Sequence, residues 1–285
     1  MNRFVLTLFF ILCFALYSPG ADRTQAKIEM PQKGLCAHRG AMDTHPENTL
    51  AAFREAIRLG AHMIELDVRF TKDSALVILH DPTVDRTTNG HGRIGDLTLA
   101  EVKTLDAGSW KDGRFKGEKI PTLKEVLDIM PVNIWLNVHS KGGEALGREV
   151  AKVILAAHRQ HQAFLACGKE AAAGARAVAP AIMICNMDRQ RETAVYVEQT
   201  IERKSDFIQL LGKIDDHLAE YTAALKKHGI RINYCCTDSP DLMKKLFDNG
   251  VDFILVNQLS TMMEEAKKLG IEPLRPVFRS EGQDD

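Results

Sequence analysis

The sequence predicts a (β/α)8 barrel, and three observations carry the prediction. From Gly34 onward short β-rich runs alternate with amphipathic helical runs, no Gly-, Ser- or Pro-rich linker divides the chain, and the strand count closes at eight once one return strand is set aside. Strands are expected at 35–37, 63–68, 76–79, 134–138, 164–166, 182–185, 207–210, 231–234 and 253–256. Helices fit between most of them, at about 47–59, 122–130, 144–160, 169–178, 188–203, 214–228, 239–249 and 260–269. An open doubly wound sheet is the alternative.

The exception to the alternation is the pair 63–68 and 76–79. Its connection, Thr71-Lys72-Asp73-Ser74, is too short for a crossover, so the two runs form a hairpin. A turn centred between Lys72 and Asp73 sets His80 opposite Glu65 and Ile78 opposite Asp67. The Gly-rich stretch at about 83–121, with one helix at 98–104, reads as a small inserted cap.

Composition agrees with a globular chain. The 285 residues are 45% hydrophobic and 26% charged, which excludes disorder and a polytopic membrane protein. With 37 Lys plus Arg against 38 Asp plus Glu the formal net charge is -1, so no basic field exists to gather nucleic acid or an anionic membrane. Any anion recognition must be local.

The N-terminus follows the order of an export signal. Asn2-Arg3 precedes an apolar run from Phe4 to Tyr17, and Ser18-Pro19-Gly20-Ala21 follows. Cleavage is expected near Ala21, with an uncleaved anchor as the alternative. The expected division is a signal at 1–21, a lead-in at 22–33, one barrel domain at 34–274 and a frayed tail at 275–285. Export to a periplasm or the exterior follows, with no stable membrane insertion once the signal is removed. Cys36, Cys167, Cys185, Cys235 and Cys236 are too sparse for a disulfide framework and lack paired C-x-x-C units, which argues against structural zinc. Most read as reduced core residues, and a bridge between Cys235 and Cys236 is conceivable.

Ionisable residues concentrate at the first strand ends: His38 and Arg39, then Glu65 and Asp67, then His80, with His139 and Lys141 after the strand at 134–138. Glu65 and Asp67, two apart on a strand, point to the same face and need a counter-charge, for which a divalent cation is economical. A lone histidine is more often structural; the joint placement of several is what points to chemistry. Thr44-His45-Pro46-Glu47 reads as a capping box that opens the first helix, with direct substrate contact by Glu47 as the alternative. Asp81 reads as an orienting residue and Arg86 as tied to carboxylates. Asn186, Gln209 and Tyr234, at strand ends, could line a pocket or be structural.

These residues resemble one family closely, the glycerophosphodiester phosphodiesterases. The matching text is His38-Arg39-Gly40, Pro46-Glu47-Asn48-Thr49, Gly60-Ala61, Ile64-Glu65-Leu66-Asp67-Val68, Thr71-Lys72-Asp73 and His80-Asp81. It continues through Asp85-Arg86-Thr87-Thr88, Gly90-His91-Gly92 and Ile120-Pro121-Thr122-Leu123. The run spans 34 to about 130, more than a third of the chain expected after signal cleavage. The resemblance implies a barrel hydrolase that releases an alcohol and glycerol 3-phosphate. His38 and His80 would act as general acid and base, Glu65 and Asp67 as ligands of one divalent metal, and Arg39 and Lys141 as phosphate-binding groups. In the family's usual scheme a glycerol hydroxyl of the substrate attacks phosphorus first, and water opens the resulting cyclic phosphate.

Two departures qualify the resemblance. The family's third metal ligand is usually a glutamate in a strand ending Glu-x-Lys, where this sequence has His139-Ser140-Lys141. Imidazole suits Mn²⁺, Co²⁺ or Zn²⁺ and serves Mg²⁺ or Ca²⁺ poorly. Three readings of His139 follow: it binds a transition metal, it contacts substrate while two carboxylates hold Mg²⁺ or Ca²⁺, or it marks reduced catalysis. Near the C-terminus the family's aromatic and Thr-Asp positions correspond to Tyr234 and Asn257; Tyr234 could replace the aromatic wall, and Asn257 removes a charge from the mouth. A lysophospholipase D-like lyase that stops at a cyclic phosphate, and a silent barrel that only binds a phosphodiester, are the alternatives in function.

Overall fold

The structure, a computed structural model, describes residues 28–212 and 216–279. The expected export signal lies outside them, as do residues 280–285.

The elements in chain order are β1 (Gly34–Ala37), α1 (Leu50–Arg58), β2 (Met63–Phe70), β3 (Leu76–Ile78), α2 (Leu99–Thr104), α3 (Leu123–Ile129), β4 (Trp135–Ser140) and α4 (Glu144–Ala156). They continue with β5 (Ala163–Cys167), α5 (Lys169–Val178), β6 (Met183–Asn186), α6 (Thr193–Glu202), β7 (Phe207–Leu211), α7 (Leu218–Lys227), β8 (Arg231–Cys235), α8 (Pro240–Asp248), β9 (Phe253–Val256) and α9 (Leu259–Lys267). Eight parallel strands close through the pairing of β1 with both β9 and β2, so the predicted barrel is the observed one. β4 pairs along one edge of β2 from Met63 to Val68, which leaves the other edge to be shared: β1 takes Met63 and Ile64, and β3 takes Val68 to Phe70. β1 thus leaves β2 just where His38 and Arg39 follow it.

The hairpin register differs from the expectation by one residue. Val68 faces Ile78 and Phe70 faces Leu76, so the turn centres on Asp73. Ser74 adopts a positive φ of 62° and Thr71 Oγ1 accepts from Ala75 N at 2.9 Å, which makes the turn one residue longer than Thr71–Ser74 alone suggests. β3 then ends at Ile78, and His80 lies beyond the ladder rather than opposite Glu65.

Period two along the strands sorts the core into two. Ile64, Leu66 and Val68 face the helix layer and join the large cluster between sheet and helices. Cys36, Met63, Trp135, Phe164 and Phe207 fill the barrel interior, where the Phe164 and Phe207 rings stack at 3.9 Å between centroids. Trp135 Nε1 donates to Pro31 O at 2.8 Å, so the lead-in segment covers the N-terminal end of the barrel. The tail is tied down through 279: Val132 N donates to Val277 O at 2.7 Å and Arg279 Nη2 to His158 O at 2.8 Å, in place of the expected fraying from 275.

α4 and α5 approach closely because each carries a glycine at the crossing. A Cβ on Gly147 would lie 2.0 Å from Ala171 O, and one on Gly174 would lie 2.0 Å from Glu144 O. The insertion between β3 and α3 has its own small core of Val77, Leu79, Val84, Ile94, Val102, Ala107 and Ile120. Lys111 Nζ donates to Met42 O at 2.8 Å and Arg114 Nη2 to Thr44 O at 2.9 Å, which pins this cap to the loop after β1.

Candidate active site

The C-terminal ends of the strands bring six of the seven predicted site residues into one cluster. Glu65 and Asp67 lie on β2 and His139 on β4, paired with Asp67 in the ladder. One ligand atom from each of the three lies within 4.8 Å of the others, and none is more than partly exposed. Lys141 Nζ sits 3.0 Å from Asp67 Oδ1 and 2.9 Å from His139 Nδ1. Arg39 places its backbone N–H 3.0 Å from Glu65 Oε2 and its Nε 3.5 Å from Asp67 Oδ2. His38 Nε2 is 4.0 Å from Glu65 Oε2.

The loop after β1 that carries these groups is shaped by two residues in the left-handed region, Arg39 at φ 57° and Asn48 at φ 58°. Asn48 is a residue that tolerates this conformation, and its amide donates to Asp67 Oδ2 at 2.9 Å. Burial pushes the Asp67 carboxyl up, but the neighbouring His139 ring and the charge of Lys141 outweigh it and hold the carboxyl well below its usual range. For His139 burial acts downward and the Asp67 and Glu65 carboxylates act upward. The carboxylates prevail, against the opposing charge of Lys141.

Two carboxylates and an imidazole fit a divalent cation. Both carboxylates are buried, and Asp67 Oδ1, shielded from solvent, has no hydrogen bond of proper geometry. The set suits Mn²⁺, Co²⁺ or Zn²⁺ better than Mg²⁺ or Ca²⁺, because one donor is nitrogen.

His80 does not touch this cluster; it is joined to it by a chain of charged contacts. His80 Nδ1 is 2.7 Å from Asp81 Oδ1, Arg86 Nε donates to Asp81 Oδ2 at 2.6 Å, Arg86 grips Glu47 through both Nη atoms at 2.8 Å, and Glu47 Oε1 accepts from Arg39 Nη1 at 2.9 Å. The Arg86 guanidinium brings the Asp81 carboxyl down to about 2. Asp81 and Arg86 therefore act as the sequence suggested. Glu47 does not: α1 starts at Leu50, its N-cap is Thr49, and Thr44 Oγ1 bonds His45 instead. The capping-box pattern was satisfied in letters only, and the Glu47 carboxylate serves as the bridge between two arginines.

A further pair escaped the sequence. Asn257, read only as a lost charge, holds His38: its Oδ1 is 2.8 Å from His38 Nδ1, and its own amide donates to Asp238 Oδ2 at 3.1 Å, which fixes which amide atom faces the ring. Tyr234 cannot form an aromatic wall, because it faces the helix layer and donates to Gly212 O at 2.5 Å. Its neighbour Cys235 takes the inward face, bonded to Cys236, whose sulfur lies 3.9 Å from His38 Nδ1. Asn186 is structural, bonding Thr200, and Gln209 lies inside the barrel bonded to Asn137.

Both histidines thus have Nδ1 engaged by a side-chain oxygen and Nε2 left for another partner, His38 beside the buried carboxylates, Lys141 and Arg39 and His80 at the far end of the charged chain, at the C-terminal end of the barrel strands. Such a set can move protons and stabilise growing negative charge, as cleavage of a phosphodiester by a barrel enzyme requires. Comparison with known proteins agrees: residues 38–261 match the profile of the glycerophosphoryl diester phosphodiesterase family, and the chain belongs to that family. A glycerophosphodiester phosphodiesterase of Caldanaerobacter subterraneus is 33% identical over 247 residues, covering 83% of this chain and 98% of the relative. Among solved structures, a glycerophosphodiester phosphodiesterase from Agrobacterium tumefaciens superposes with a TM-score of 0.69 at 28% identity, covering 81% of this chain and 99% of that one. A phosphodiesterase from Oleispira antarctica, solved with the product sn-glycerol-3-phosphate, gives 0.70 at 26% identity over 84% of this chain and 97% of that one.

Proposed function

We propose that the protein hydrolyses glycerophosphodiesters to an alcohol and glycerol 3-phosphate, with His38 as the base and His80 as the acid of the first step. The observation that carries the assignment is the difference between the two Nδ1 partners. Asn257 offers His38 an uncharged oxygen and leaves Nε2 as a free lone pair, whereas Asp81 offers His80 a carboxylate that shares the positive charge of an imidazolium.

His38 Nε2 takes the proton of a glycerol hydroxyl as that oxygen attacks phosphorus, and His80 Nε2 gives its proton to the departing alcohol oxygen. Water then opens the cyclic phosphate with the two roles exchanged. Arg39 and Lys141 bind the phosphoryl oxygens, whose negative charge grows along the displacement. Glu65, Asp67 and His139 hold a divalent cation, which when bound supplies Lewis-acid stabilisation of the same charge.

The test is glycerol 3-phosphate release from glycerophosphocholine by metal-stripped protein, re-supplied separately with Mg²⁺, Ca²⁺, Mn²⁺, Co²⁺ and Zn²⁺. Rescue by Mn²⁺, Co²⁺ or Zn²⁺ is expected; rescue by Mg²⁺ or Ca²⁺ alone moves His139 off the metal, and silence with all five overturns the activity. We also propose export, on the charged start, apolar run and small residues of the first 21 positions. Among the described residues no helix is long and apolar enough to cross a membrane.

A further inference from the structure

Beside the metal-binding cluster a second, open cavity runs between the end of β2, the cap and the start of α4. Its wall includes Arg69, Arg93, Ile94, Lys141, Gly143 and Glu144. Lys141 belongs to both spaces: it lines the groove, and its ammonium lies on Asp67. Arg69 is two residues beyond Asp67 on the same strand, and so on the face that carries both carboxylates. The groove is therefore continuous with the mouth of the proposed active site.

Its charge is one-sided. Among the described residues neither Arg69 nor Arg93 forms an ion pair, and Glu144, the one acid of the wall, is engaged by Arg148 at 2.5 Å. Arg69 spends Nε and Nη2 on the carbonyl of His80, at 3.0 and 2.7 Å, and this leaves Nη1. Arg93 is exposed on the cap with no side-chain hydrogen bond among the described residues. The cap's own core holds Ile94, so the position of Arg93 over the groove is set by packing rather than by a partner.

A single phosphodiester carries one negative charge, and Arg39 and Lys141 already answer it. Two further guanidinium groups in a connected groove are redundant for a glycerol moiety or for a neutral or cationic alcohol. They match a second phosphate, which arginine binds through its forked donors. We propose that this groove is a subsite for a phosphate on the alcohol portion of the substrate, so that the preferred substrates are glycerophosphodiesters whose head group is itself phosphorylated. The proposal rests on the hydrolytic reading above and adds to it the head-group class.

The test compares glycerophosphoinositol with glycerophosphoinositol 4-phosphate, which share one scissile bond and differ by one phosphate. The metal-loaded full chain is expected to show a higher kcat/KM for the phosphorylated substrate by roughly tenfold at low salt, with the preference shrinking at high ionic strength. In Arg93→Glu that ratio should fall by about tenfold or more, mainly through KM, and in Arg93→Ala by about threefold. Arg54→Glu, on the outer surface of α1, is the control for net charge and should leave the ratio in place. Turnover of both substrates with a ratio near one, or a ratio that Arg93→Glu and Arg54→Glu move alike, overturns the subsite and leaves the hydrolytic reading standing. No turnover of either substrate, or of glycerophosphocholine, overturns the reading of the site and the subsite with it.

Discussion

Arg39 and Glu47 are joined by a 2.9 Å bond from Nη1 to Oε1, and through it the proposed phosphate-binding end of the site is tied to the histidine at the other end. The same carboxylate oxygen accepts from Arg86, which holds Asp81, which holds His80. Glu47 is only 6% exposed, so its negative charge is one that the two arginines must neutralise. Replacing Glu47 by Gln leaves both guanidinium groups short of a counter-charge. Stability should fall by about 2 kcal/mol, less than for a fully buried pair because Arg86 is 45% exposed at its side chain. kcat should fall more than KM rises, because the substrate still meets Lys141 while His80 loses its alignment. Urea denaturation and steady-state kinetics measure the two effects.

Asp81 gives the clamp a defined acid limit. Its carboxyl is depressed to about 2 from an ordinary value near 3.8, chiefly by the Arg86 hydrogen bond. A depressed carboxyl contributes stability that is full above the ordinary value and is lost as pH falls through about 2. Asp81 should therefore stay ionised and paired with Arg86 from pH 4 to 7, so stability should not fall on its account in that range. In Asp81→Asn the His80 ring loses its charged partner, so kcat for a substrate with a poor leaving group should fall while KM changes little, and steady-state kinetics of the two proteins read this directly.

Asn257 should matter to kcat out of proportion to its distance in sequence. Asn257→Leu frees the His38 ring to turn and should lower kcat about 100-fold, a typical contribution of a positioned proton-transfer group. Asn257→Asp keeps an oxygen at Nδ1 and should recover part of the loss. If Asn257→Leu retains wild-type kcat, His38 is not held through this bond.

The α4–α5 crossing predicts a destabilising glycine-to-alanine change. In an exposed helix such a change stabilises by roughly 1 kcal/mol. At Gly147 or Gly174 the added methyl would meet a backbone oxygen at 2.0 Å, and the helices must separate. Each substitution should cost about 1–3 kcal/mol, as overpacking does, and thermal unfolding shows the sign.

The thiols Cys36, Cys167 and Cys185 are buried, and burial raises the Cys167 thiol to about 12. None should react with an alkylating reagent in the native protein at pH 8, and all should react after denaturation without a reductant. Mass spectrometry of the two samples distinguishes them.

The sequence made much of this legible for a physical reason. Strand parity alone placed Glu65 beside Asp67, and the ladder then set His139 next to Asp67. The errors also have causes. The turn at Thr71–Ala75 was shortened by one because nothing in Thr-Lys-Asp-Ser announces that Ser74 adopts a positive φ. Tyr234 and Cys235 exchanged roles because a one-residue difference in parity turns a side chain from the helix layer to the barrel mouth. The bond from Asn257 to His38 spans 219 residues, and only closure of the barrel between β1 and β9 brings its ends together.

The central claim is that His80 protonates the leaving alcohol while His38 deprotonates the attacking hydroxyl, and one pair of substrates tests it most directly. Glycerophosphocholine releases a poor leaving group that needs an acid, and glycerophospho-p-nitrophenol releases a good one that does not. In single-turnover release of the alcohol, which reads the first step alone, His80→Ala should lose roughly 10³-fold or more on the first substrate and recover most of its rate on the second, while His38→Ala should be impaired on both. Near-normal release of choline from glycerophosphocholine by either variant, or a His80→Ala defect of equal size in alcohol release from the two substrates, would contradict the assignment.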